Sequence, residues 1–180
     1  SISNAHIMRI TLAQMNSGRD VEENLRQATE LAEAAAADRP DWLLFPENAP
    51  FLGRDGEKTD VAEPLGGRMT DHFADLAVQL DAWVTLGSFP ERVDEPEPDS
   101  DEKRTYNTQV LFDPSGERRA VYRKIHLFDV DVEGGREYRE SDHVKPGEDL
   151  VLSDVAAPES GRWRAGLTVC YDLRFPELFR

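Results

Sequence analysis

Asp41-Trp42-Leu43-Leu44-Phe45-Pro46 is a nearly unbroken apolar run, followed at once by a carboxylate, Glu47. A short apolar run closed by proline predicts a strand covered on both faces, the pattern of a buried parallel sheet. Upstream, residues 8–14 alternate apolar and polar and predict a first strand. Between the two, Asp20 can cap a helix with Val21, Leu25, Ala28, Leu31, Ala32 and Ala35 along one face, ended by Arg39-Pro40. Strand, helix and strand in that order predict a layered α/β arrangement containing a parallel pair. The carboxyl edge of such a sheet is where α/β proteins build their sites, which makes Glu47 a candidate site residue. Its alternative is an exposed acid opening a loop.

Downstream, residues 48–68 are polar and glycine-bearing and read as loop. Thr70 is expected to cap a second helix with Phe73, Leu76, Ala77 and Leu80 on one face. Residues 83–89 follow as a strand, and the acidic, proline-punctuated residues 91–104 as a solvated excursion. Two strand-like runs, residues 105–113 and 117–124, flank Pro114-Ser115-Gly116 and predict a β-hairpin. Lys124 closes the second run against the apolar Ile125-His126-Leu127-Phe128, a setting in which lysine is seldom placed for structure alone. The competing reading is a stem packed on the surface with its ammonium in water.

Residues 129–150 read as an acidic loop carrying Glu140, and 151–152 with 162–170 as another strand pair. The only cysteine, Cys170, then lies between a short apolar strand, Gly166-Leu167-Thr168-Val169, and a helix opened by Phe175-Pro176-Glu177. On such a turn backbone N–H groups and the helix dipole would favour a thiolate. A lone cysteine is otherwise read as a small buried hydrophobe.

The 180 residues include 36 acidic and 21 basic side chains, a net charge of −15. That balance argues against nucleic acid or an anionic membrane as a partner. No apolar run approaches the ~20 residues of a bilayer-spanning helix and no leader pattern precedes the first strand, so a soluble cytoplasmic protein is expected. Residues 1–7 read as a tag remnant ahead of Met8, leaving 8–180 as part of a single domain. Only Lys58, Lys103, Lys124 and Lys145 are lysines, and an acidic, lysine-poor surface suits work in high salt. His6, His72, His126 and His143 are scattered, and no zinc-like spacing or glycine-rich phosphate loop occurs, so neither metal nor cofactor is expected.

Taken together, Leu44-Phe45-Pro46-Glu47, Tyr122-Arg123-Lys124-Ile125-His126 and the run from Val169-Cys170-Tyr171-Asp172 to Leu178 resemble, in order, the three signature segments of the nitrilase superfamily of carbon-nitrogen hydrolases. Glu140, ahead of Pro146, matches a second acidic position of that family. The resemblance implies an α/β fold, the αββα sandwich of the nitrilase type, in which Glu47, Lys124 and Cys170 meet at strand ends. It implies a cysteine nucleophile, a Glu47 general base, and an oxyanion held by Lys124 and the Tyr171 backbone N–H, with Glu140 orienting Lys124 or the substrate.

The run His126-Leu127-Phe128-Asp129-Val130-Asp131 is similar to the Nit branch, which includes deaminated-glutathione amidases and ω-amidases. The expected substrate is therefore a small-molecule amide of a 2-oxo acid or a deaminated-glutathione-like molecule. Subunits are expected to pair sheet to sheet as a homo-oligomer. Family domains continue past the cysteine motif, so the chain is expected to cover about two-thirds of one, with unpaired edges where later strands are missing. An inactive fragment, a partner-dependent subunit, or a carbamoylase or nitrilase of the same family are the alternatives.

Overall fold

The computed structural model describes residues 7–93, 104–131, 137–157 and 161–180. The remnant expected over 1–7 falls, except for Ile7, outside the described residues. A five-stranded mixed sheet has the order β1 (Ile10–Leu12), β2 (Trp42–Leu44), β3 (Trp83–Arg92), β4 (Thr105–Phe112) and β5 (Arg118–Arg123). β1, β2 and β3 run parallel, whereas β3, β4 and β5 are antiparallel, so the βαβ unit and the hairpin read from the sequence share one sheet.

Alternation along the strands divides the core in two. Leu43, Val84, Leu86, Val110 and Phe112 point to one face and pack against α1 (Val21–Ala35) and α3 (Arg68–Leu80). Trp83, Leu111, Ala120 and Tyr122 point to the other and pack against β8 (Leu152–Ala157) and the apolar residues before Cys170. β8 pairs with β9 (Gly161–Gly166) to form a second, small sheet. The fold is thus α/β, a mixed sheet with helices on one face and a further β layer on the other.

Several expectations need correcting. The second strand is not fully covered, since Leu43 is buried but Trp42 and Leu44 are half-buried, and the Trp42 indole N–H donates to Thr85 Oγ1 at 2.8 Å. The stretch 48–68 contains a 3-10 turn and the short helix α2 (Lys58–Val61). Thr70 does not cap α3; the helix starts two residues earlier, where the Glu63 carboxylate accepts the Met69 backbone N–H at 2.8 Å and Thr70 Oγ1 ties back to Gly66. Asp20, by contrast, caps α1 through the backbone N–H of Glu23.

The solvated excursion expected over 91–104 does not begin at Glu91. β3 runs to Arg92, and Glu91 is buried, paired with the Arg123 guanidinium at 2.6 and 2.8 Å and accepting from Thr108 Oγ1. Residues 94–103 lie outside the described residues. The loop 129–150 carries a two-residue ladder of β6 (Asp129–Val130) with β7 (Tyr138–Arg139), then a 3-10 turn at Glu140–Asp142.

The run before Cys170 is buried at Leu167 and Val169 and extended at Val169, but after Gly166 its backbone bonds are an N–H donated from Leu167 to Val151 and the Val169 carbonyl accepting the Asp172 N–H, not a strand ladder. After Cys170 the chain forms two 3-10 turns, Cys170–Arg174 and Pro176–Phe179, instead of an α-helix. No helix among the described residues is long and apolar enough to cross a membrane.

Candidate active site

Each site residue is delivered by a different element, and close backbone approaches fix two of them. Gly87 lies on β3 where a Cβ would stand 2.1 Å from the Phe45 carbonyl oxygen and 2.4 Å from the Pro46 carbonyl. Only glycine lets the two strands run that close, so the peptide leading into Glu47 is set by the glycine opposite it. The next residue, Asn48, takes a left-handed φ of 57° and donates its N–H to Ser88 Oγ at 2.8 Å. Gly147 plays the same part for Lys124, with a hypothetical Cβ 2.2 Å from the Arg123 carbonyl oxygen and its N–H donating to the Lys124 carbonyl.

These elements bring Glu47, Lys124, Glu140 and Cys170 to one pocket of about 300 Å³. Lys124 Nζ donates to Glu47 Oε1 at 3.1 Å and to Glu140 Oε2 at 2.8 Å. The lysine and Glu140 are 2% and 5% exposed, and Glu47 is 24% exposed. Burial alone would push the Lys124 ammonium toward neutrality, but the two carboxylates outweigh it and hold its pKa above the ordinary lysine value. Glu140 therefore belongs to the site and not to the surface of an acidic loop; Oε2 also accepts the Phe128 backbone N–H at 2.7 Å.

Cys170 sits at φ 47°, a left-handed corner rare for a residue with a side chain. Although the residue as a whole is exposed, partial enclosure of its thiol pushes the pKa up, and the Glu47 carboxylate pushes it further by charge and by hydrogen bond. The Lys124 cation opposes this without reversing it. The thiolate expected from the helix dipole loses its basis: the segment after Cys170 is a short 3-10 turn, and the Glu47 carboxylate raises the thiol pKa by more than Lys124 lowers it. Tyr171, whose N–H follows directly on the turn, packs its ring edge-on against Phe128 at 4.9 Å, and Phe128 in turn lines the pocket.

Sequence reasoning passed over three residues. Asn107, on β4, donates its amide N–H groups to Glu47 Oε1 at 2.8 Å and Glu140 Oε1 at 3.2 Å, while its backbone carbonyl accepts the Lys124 backbone N–H. Asp172 is fully buried and accepts from the Tyr122 hydroxyl at 2.6 Å, from the backbone N–H groups of His126 and Val169, and contacts His126 Nδ1 at 2.7 Å. It locks the turn at Cys170 to the strand end that carries Lys124. Lys58, the first residue of α2, lines the same pocket and is 6% exposed. Lysine scarcity was the signal that could have drawn attention to it. Among the described residues no group of three or more His, Cys, Asp or Glu side chains could hold a metal ion.

A mixed sheet with its candidate site at the strand ends, built around a cysteine and a carboxylate-flanked lysine, defines an α/β protein of the nitrilase type. Carbon-nitrogen hydrolases match residues 9–180, and the chain belongs to that family. It is 37% identical over 180 residues to a deaminated glutathione amidase of Dictyostelium discoideum, covering 96% of this chain and 58% of the relative. It is 35% identical over 179 residues to the deaminated glutathione amidase of Homo sapiens, covering 99% and 53%. The crystal structure of the C. elegans NitFhit protein superposes with a TM-score of 0.75 at 31% identity, over 95% of this chain and 40% of that one. The chain spans little more than half the length of these curated relatives.

Proposed function

We propose that the protein is an amidase that hydrolyses the carbon-nitrogen bond of a small acid amide, of the 2-oxo acid or deaminated-glutathione type, through a cysteine thioester. The observation that carries this reading is the convergence of Cys170, Glu47 and Lys124 on one pocket, with Lys124 held between Glu47 and Glu140. Because burial and the Glu47 carboxylate favour the protonated thiol, the sulfur needs a base at the moment of attack. Glu47 takes the proton as Sγ bonds to the amide carbon, and the carbonyl π electrons move to oxygen. The Lys124 ammonium and the Tyr171 N–H stabilise that oxyanion, a donor of this kind contributing ~3 kcal/mol. As the C–N bond breaks, Glu47 returns the proton to the departing nitrogen. Glu47 then deprotonates a water that attacks the thioester, the acid leaves, and the sulfur recovers its proton.

Asn107 and Glu140 fit this cycle as positioning groups, one amide holding both glutamates apart and aligned. The test is ammonia release from 2-oxo acid amides by the whole protein. Cys170→Ala and Glu47→Gln are expected to fall below about a tenth of wild-type activity, and retention above that by either removes the mechanism.

A further inference from the structure

The hydrogen bonds of the pocket treat its two glutamates unequally. Asn107, on β4 and 4% exposed, donates from Nδ2 to Glu47 Oε1 at 2.8 Å and to Glu140 Oε1 at 3.2 Å. A carboxylate only accepts, so the amide must turn its nitrogen toward both, and Oδ1 is left buried without a hydrogen-bond partner among the described residues. An apolar side chain would leave no such orphan, and orphans of this kind are uncommon in folded proteins. The amide is therefore there for its two N–H groups.

Lys124 Nζ also ends on Glu47 Oε1, at 3.1 Å, so two donors fill that oxygen and neither reaches Oε2. Glu140 differs: Oε1 takes Asn107, and Oε2 takes Lys124 at 2.8 Å and the Phe128 N–H at 2.7 Å. Three donors spread over both oxygens of a side chain that is 5% exposed leave it no oxygen free of a donor. Glu47, 24% exposed, keeps one, and its carboxylate is hydrogen-bonded to the Cys170 thiol.

We infer that Asn107 is the positioning residue that makes Glu47, and not Glu140, the base of the pocket, by presenting Glu47 Oε2 to the proton of Cys170. That this proton goes on to a departing nitrogen rests on the amidase reading; the anchoring of Glu47 by Asn107 does not. In the step itself the Sγ–H bond breaks, an Oε2–H bond forms, and the sulfur electron pair goes to the amide carbon. An N–H on a carboxylate favours its charged form, so without Asn107 the base would keep its proton to higher pH. The other groups that face Glu47 are the Lys124 ammonium from the end of β5 and the Cys170 thiol, with Glu140 across the lysine and Lys58 of α2 in the same pocket. Asn107→Leu alters none of them.

The test compares the whole protein with Asn107→Leu, which keeps the branch of heavy atoms but not the donors, on a 2-oxo acid amide. kcat is expected to fall about tenfold or more with KM within about threefold, and the acidic limb of kcat/KM to move up by about half a pH unit or more. A loss of kcat with the limb unmoved means packing alone and overturns the inference, as does unchanged turnover. Asn107→Asp keeps the shape and sets a third carboxylate there; its limb should also move up, and an unmoved limb overturns the inference even where Asn107→Leu does not fold. A second measurement needs no turnover: thermal melts of Asn107→Leu in the wild-type and Glu47→Ala backgrounds. The loss should be smaller by about two degrees or more where Glu47 is gone, and equal losses overturn the anchoring. If the wild type releases no ammonia while the melts are coupled in this way, the amidase reading fails and the anchoring of Glu47 stands.

Discussion

Lys124 stands between two carboxylates, and its removal would leave both without the ammonium that joins them. An unmatched buried charge costs about 3–5 kcal/mol, so Lys124→Ala should lower the melting temperature sharply as well as stop turnover. Adding Glu140→Gln should recover part of that loss without restoring activity, because a neutral amide can still accept the Phe128 N–H. Thermal melts of the single and double variants check this. At Cys170 the sign is opposite to the usual nucleophile argument. Removing the Glu47 charge leaves Lys124 as the larger of the remaining charge effects, so Glu47→Gln should move the pH midpoint of iodoacetamide alkylation downward while abolishing turnover. A midpoint that stays or rises would mean that the Glu47 carboxylate does not hold the thiol pKa up. Glu47, Lys124 and Cys170 were legible because each stands where its residue type is out of keeping with its neighbours, whereas Glu140, an acid in an acidic loop, was reached only through the family resemblance. Asn107 and Asp172 were not, since an asparagine in a strand and an aspartate after a turn look ordinary until the partners arrive from elsewhere in the chain.

Among the elements, the turn after Cys170 owes its shape to Asp172. Every group around that carboxylate except the His126 ring nitrogen is a donor: the Tyr122 hydroxyl and two backbone N–H groups. An acceptor-only side chain fits, and Asp172→Asn would turn an NH₂ toward at least one donor. We expect it to cost about 1–3 kcal/mol and to reduce kcat with little change in KM, since the nucleophile turn loosens while the pocket walls remain. Burial beside the Asp172 carboxylate already pushes the Tyr122 hydroxyl pKa up, so this bond stays protonated through the neutral range. Periodicity foretold α1 and the β4–β5 hairpin because both are decided by local pattern and turn chemistry. It misjudged the start of α3, where the capping carboxylate comes from Glu63, and the end of β3, where Glu91 is carried inward by Arg123. It also made an α-helix of residues that settle into 3-10 turns around Asp172.

For the whole molecule, a net charge of −15 is a standing repulsion that salt can screen. The melting temperature should rise by several degrees as salt is raised from about 0.1 to 1 M, a response the short-range buried pairs at Lys124 would not produce. A flat or falling curve speaks against adaptation to high salt. The left-handed corner at Cys170 has a further meaning for the folded state as a unit. A side chain held at φ 47° is strained by ~1 kcal/mol or more, and glycine alone is spared. Cys170→Gly should therefore melt at a higher temperature than Cys170→Ala, though neither reacts with amides. If so, the sturdiest version of this scaffold is one that has lost its chemistry, and the sulfur persists at its post against the preference of the backbone beneath it.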